Sequence, residues 1–152
     1  MRKYILPIAA SAALLGASSA FAAQTNAPFQ ARVNIQTACT VSATALNFGN
    51  VGVISGTETG ASNVAVNCSN GTPYWMSLSS DTNIANQVTA ITGTMTNAGL
   101  PGEVVNYSAA LSAAGGTGSG AAQAYTIDGA LPAQTTPTPA LYTDNQTLYV
   151  NY

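Results

Sequence analysis

From Asn26 to Gln36 the chain alternates in a strict period of two. Ala27, Phe29, Ala31, Val33 and Ile35 are apolar, and Asn26, Gln30, Arg32, Asn34 and Gln36 are polar. Only Pro28 departs from the polar parity. Period two over about ten residues is the pattern of a β-strand with one buried face. Such a strand leaves five apolar side chains looking for an acceptor. It also falls at the start of the exported chain, where unpaired segments fray. The acceptor is either the chain's own sheet or the sheet of a neighbouring molecule.

The residues before this stretch read as an export signal. Arg2 and Lys3 give a basic start, Ile5 to Ala17 is apolar or small, and Ala20-Phe21-Ala22 fits an A-x-A cleavage site. Residues 1–22 are therefore expected to be removed, leaving Ala23 as the first residue. A transmembrane helix is the rival reading, but the run is short and ends in small residues. What remains is one domain by size.

Charge narrows the function. After residue 22 the only basic residue is Arg32, against Glu58, Asp81, Glu103, Asp128 and Asp144, a net charge of −4. One cation excludes nucleic-acid binding through phosphates. The polarity comes from Thr, Ser, Asn and Gln, as expected of an extracellular surface covered by neighbouring copies. Catalysis has no visible machinery. The chain has no His, and the five acids stand in no motif. No cofactor, metal or small-molecule substrate is expected. Cys39 and Cys68, an even pair behind an export signal, read as one disulfide. A metal pair is the alternative, but it lacks further ligands.

Helix signals are scarce, and short strand-like runs bounded by Gly, Asn, Ser and Pro recur, which predicts an all-β sandwich or barrel. Val33–Val41 should continue the opening strand, and Leu46–Phe48 is a short alternating piece. Asn63–Cys68 is a strand. Asn70-Gly71 signals a tight hairpin, returning through Tyr74–Ser79, with Trp75 in the core near the disulfide. A sugar-binding surface role for Trp75 is the alternative. Residues 81–102 should hold a short strand and loop, followed by a strand at Val104–Leu111. Ala114–Gly120 reads as a flexible loop, because it lacks the Lys and following helix of a phosphate cradle. Strands at Gln123–Leu131 and Tyr142–Tyr152 flank a Pro-rich connection. The total is six to seven strands, within the immunoglobulin-like range.

The ordered set of pieces resembles a known family. A Cys follows an alternating strand; then come Leu46-Asn-Phe-Gly49, Val64-Ala-Val-Asn-Cys68 and Gly71 before an aromatic strand. Tyr125-Thr-Ile-Asp-Gly-Ala-Leu-Pro132 and Tyr142-Thr-Asp-Asn-Gln-Thr-Leu-Tyr-Val-Asn-Tyr152 complete it. Together they are similar to the spore coat protein U-like domain, the subunit family of archaic chaperone–usher pili. The stretch from Val104 to Gly120 lacks the Trp-Gly pattern of many members.

The resemblance implies an incomplete immunoglobulin-like sandwich whose last strand, G, is supplied in trans. Residues 23–33 would be the donor strand, with Ala27, Phe29, Ala31 and Val33 filling a neighbour's groove. Residues 34–152 would be the pilin domain, its groove edged by strand F through Tyr142, Leu148, Val150 and Tyr152. The implied partners are neighbouring pilins, a periplasmic chaperone and an outer-membrane usher. The implied destination is an extracellular filament serving adhesion and biofilm formation. A chain of this length has no room for a second binding domain, so a shaft or adaptor subunit is expected. Two other readings stay open: a self-contained secreted sandwich (a coat or carbohydrate-binding protein) and a small outer-membrane β-barrel.

Overall fold

A computed structural model describes residues 23–152 and divides them at Val33. The leader expected over residues 1–22 lies outside the described residues. Residues 23–33 hold no helix or strand, and all are exposed. Phe29 is 92% exposed and Val33 82%. The guanidinium of Arg32 donates to the Gln30 side chain at 2.8 and 2.5 Å.

Residues 34–152 form two antiparallel sheets. In chain order the strands are β1 (Cys39–Ala43), β2 (Glu58–Cys68), β3 (Pro73–Ser77), β4 (Ala90–Thr96), β5 (Val104–Leu111), β6 (Gly115–Thr117), β7 (Ala122–Leu131) and β8 (Tyr149–Asn151). One 3₁₀ turn, Ile84–Asn86, is the only helical piece among the described residues. The larger sheet runs β1-β2-β7-β5-β4 and the smaller β6-β3-β8. This is the antiparallel sandwich expected from the alternating runs, consistent with an immunoglobulin-like layout, but with eight strands where six to seven were expected. Cys39 and Cys68 face each other across β1 and β2 and form a disulfide.

The core has two halves. At one end Val64, Val66 and Cys68 of β2 pack against Tyr74 and Met76 of β3, with Leu148 and Val150 beside them. Alternation on β2 and β3 sends these side chains inward from facing sheets, and Val66 and Met76 are fully buried. At the other end Val105, Tyr107 and Ala109 of β5 and Leu131 of β7 cluster with Ile54. Here the small sheet gives out, and irregular segments take its place over the large one.

Several local expectations need correction. The opening alternation yields a strand only from Cys39; before it, Gln36 and Ala38 bond only to Ser69, and the residues ahead of them join no ladder among the described residues. Asn70-Gly71 makes a turn, with Gly71 at φ +79° and Thr72 N–H donating to Ser69 O at 3.1 Å. The turn does not close a hairpin, because β2 and β3 belong to different sheets. Trp75 is half-buried on the parity opposite Tyr74 and Met76, so those two fill the core instead.

The Gly-rich stretch after Ala114 is not a loose loop. Gly115–Thr117 is β6, paired with β3. A Cβ on Gly115 would meet Tyr74 O at 2.3 Å, and one on Gly118 would meet Ser69 O at 2.3 Å. Glycine stands there because two backbones touch. Lastly, the closing strand is broken. Thr143 bridges to Thr96 of the large sheet, and only Tyr149–Asn151 ladders with β3.

Candidate functional site: an open groove between the sheets

The uncovered half of the large sheet floors a groove of about 760 Å³. Its floor is Ile91 and Met95 of β4, Val105, Tyr107 and Ala109 of β5, and Ile127 and Leu131 of β7. One wall is the segment after β1, with Leu46, Phe48, Val51 and Ile54. The other is the segment leading to β8, with Tyr142 and Leu148. The groove has an apolar floor and is bounded by irregular backbone.

Two of the sequence motifs meet at the first wall. In Leu46-Asn-Phe-Gly49 the alternation turns Leu46 and Phe48 toward the large sheet. Asn47 bridges to Ala61, and its Oδ1 accepts from Gly49 N–H at 2.8 Å, closing a turn with Gly49 at φ +75°. Gly129 makes room for the pair, because a Cβ there would stand 2.9 Å from both Leu46 and Phe48. Phe48 then meets Tyr107 edge-on at a centroid distance of 6.0 Å. The Leu-x-Phe of one motif thus seats on the Gly of another 80 residues later.

The second wall is tied down by carboxylates. Glu103 accepts from the hydroxyl of Thr138 at 2.6 Å, from its backbone N–H, and from Tyr142 OH at 3.2 Å. The Thr138 bonds hold the Glu103 carboxyl below its ordinary range. Further on, Asp144 Oδ2 accepts from Tyr107 OH at 2.9 Å and from the Gln146 amide at 2.9 Å. Burial, and then this bond and the carboxylate's charge, push the Tyr107 phenol up to about 12. Tyr74 is pushed to about 12 too, first by burial and then by the Tyr125 hydroxyl at 2.6 Å.

These shifts set a pH window. A phenol whose folded pKa is raised contributes stability that is present below pH 10 and lost as pH climbs from 10 to 12. The urea midpoint should therefore hold steady to about pH 10 and fall beyond it. Tyr107→Phe should flatten part of that fall, as read by denaturation series at pH 9, 10, 11 and 12. The depressed Glu103 works the other way. Its contribution is present above the ordinary carboxyl range and is lost as pH falls through its lowered value.

From the last of these ties onward the wall is bare. From Asp144 to Leu148 no backbone group makes a hydrogen bond to another among the described residues. Asp144 to Thr147 are exposed and Leu148 is half-buried, so this run is a free edge open to solvent along the groove.

Of the expected edge residues, Tyr142 and Leu148 line the groove. Val150 packs into the closed half of the core, and Tyr152 is exposed. Ala27, Phe29, Ala31 and Val33 are exposed, as described above. The floor residues of β4 and β5 were not singled out from sequence. Their signal was the alternation Val105, Tyr107, Ala109, and Ile91, Gly93, Met95, in which Gly93 masks the period.

The molecule is thus a disulfide-bridged β-sandwich, closed at one end and left open along an apolar groove at the other. The chain matches the Spore Coat Protein U domain over residues 25–149, and it belongs to that family. No curated protein matches the chain.

Proposed function

We propose that the chain is a structural subunit of an extracellular adhesive pilus, built by donor-strand complementation on the chaperone–usher pathway. The groove of one copy takes up residues 23–33 of the next. The observation that carries this reading is a pair of unmet needs. One is a groove whose wall from Asp144 to Leu148 has unpaired backbone. The other is an exposed alternating segment with Phe29 and Val33. Ala27, Phe29, Ala31 and Val33 project from one side of a strand of seven residues, which spans roughly 20–23 Å. That reach matches the five-residue wall with a residue to spare at each end. The pairing is β-augmentation, in which backbone bonds give affinity and alternate side chains fill pockets.

On this reading a periplasmic chaperone fills the groove first, and the usher exchanges it for the next subunit. The protein works by binding its own kind, with no catalytic step, no cofactor and no nucleic acid. Pro28, without an N–H, belongs at the strand's first positions or on its solvent side.

The test is an unheated SDS gel of the secreted protein beside a version lacking residues 23–32. A ladder of SDS-resistant multimers should collapse to monomer in the truncation. Phe29→Ala should shorten the ladder, since burying a Phe is worth about 1.5–3 kcal/mol. Monomer in both lanes, with a truncation that melts earlier, would sink the proposal in favour of a self-contained sandwich.

A further inference from the structure

Charge is segregated along this chain. Arg32, the only basic residue after position 22, lies in the exposed segment, while all five acids lie in the two-sheet body. Of those acids only Asp144 lines the groove. Its Oδ2 takes both hydrogen bonds, from Tyr107 and Gln146, and its Oδ1 has no donor among the described residues. Asp144 is exposed and opens the backbone run that pairs with nothing. The guanidinium of Arg32 is exposed as well, held only by the neutral Gln30 side chain.

We infer that Arg32 of one copy pairs with Asp144 at the groove rim of the next, so that charge selects the partner and sets its register. The inference rests on the donor-strand reading above. The occupant is the segment carrying the one cation after position 22, and the groove carries one accessible carboxylate. Bodies with five acids and no cation repel each other, so only the donor segment approaches favourably. Arg32 sits on the parity opposite Phe29 and Val33, which places it at the solvent rim when those side chains are inside. A rim pair acts on the rate of encounter and its salt dependence more than on dissociation.

The experiment follows multimer growth by unheated SDS gel after the full secreted chain is refolded from denaturant. It is run at about 20 mM and about 1 M salt, where screening lengths are some 20–30 Å and 3 Å. Assembly of each variant is read against wild type at the same salt, since repulsion between the acidic bodies slows every chain at low salt. Arg32→Gln and Asp144→Asn should each slow it there by about two- to fivefold, the range of an exposed ion pair, and match it at high salt. Asp144→Asn keeps an acceptor for Tyr107, so the groove wall stays in place. Arg32→Asp and Asp144→Arg should slow assembly further, and their combination in one chain should recover it. Phe29→Ala should slow assembly equally at both salt concentrations.

If Arg32→Gln keeps pace with wild type at low salt while Phe29→Ala does not, the pairing is overturned and the groove reading stands. If the reversed pair fails to recover, the pairing is overturned as well. If wild type forms no multimers, both fall together.

Discussion

Chains in which Cys39 and Cys68 are both alanine should lose about 3–4 kcal/mol of stability, seen as a lower urea midpoint. The bridge spans 29 positions of sequence, and opening it returns that loop's closure entropy to the unfolded chain. The structure adds a local reason. β1 is an outer strand of the large sheet, laddered only to β2, and the wall segment with Leu46 and Phe48 follows directly from it. Freed at Cys39, that wall keeps Thr44 N–H on Asn63 O at 2.9 Å and Ser62 Oγ on Thr44 O at 2.5 Å. Groove geometry should therefore loosen before the sandwich opens. Unreduced and dithiothreitol-treated wild type, compared by urea denaturation and by the unheated gel, should show assembly failing at lower urea than folding does. Equal midpoints for the bridged and unbridged chains would refute the expectation.

How much of this was legible in the sequence depends on the range over which each feature is decided. Strand period is local, and β5 and β7 fall where the alternation puts them, while β2 begins at Glu58, ahead of the alternating run Asn63–Cys68. The fate of a strand is not local. The segment from Ala27 to Val33 has the best period in the chain and no ladder, because a partner's backbone cannot be read from one strand. Asn70-Gly71 fixes a tight turn, but the same turn serves a hairpin or a corner between sheets. Only the packing of Tyr74 and Met76 against Val64 and Val66 decides between them. Glycine is ambiguous in the same way. Gly115 and Gly118 look like freedom in a composition, yet they mark backbones in contact. Trp75 misled through its size, since parity and not bulk chose Met76 for the core. The groove's carboxylate ties, Glu103 to Thr138 and Asp144 to Tyr107, join residues more than 30 positions apart. No spacing rule announces them.

The two halves of the core should answer differently to the same kind of cut. Met76 is fully buried in the closed half, between Val64 and Val66 on one sheet and Val150 on its own. Met76→Ala should cost about 2–5 kcal/mol, because the rigid surroundings cannot close over the cavity. Since the site is complete within one chain, the loss should be the same in isolated subunits and in multimers. Ile91 is a half-buried floor residue of the groove, and one side of it faces open space. In a lone subunit Ile91→Ala should therefore cost well under the range for a buried Ile, about 2–5 kcal/mol. Once a strand covers the floor, Ile91 gains its missing neighbours, and the same substitution should then approach that range. Urea denaturation of refolded monomer and of SDS-resistant multimer, for wild type and both variants, separates the cases. A cost for Ile91→Ala that does not grow on assembly would mean that the groove stays empty in the assembled state. The donated strand would then have to lie elsewhere. A cost that grows for Ile91→Ala alone assigns the missing part of the core to a second chain.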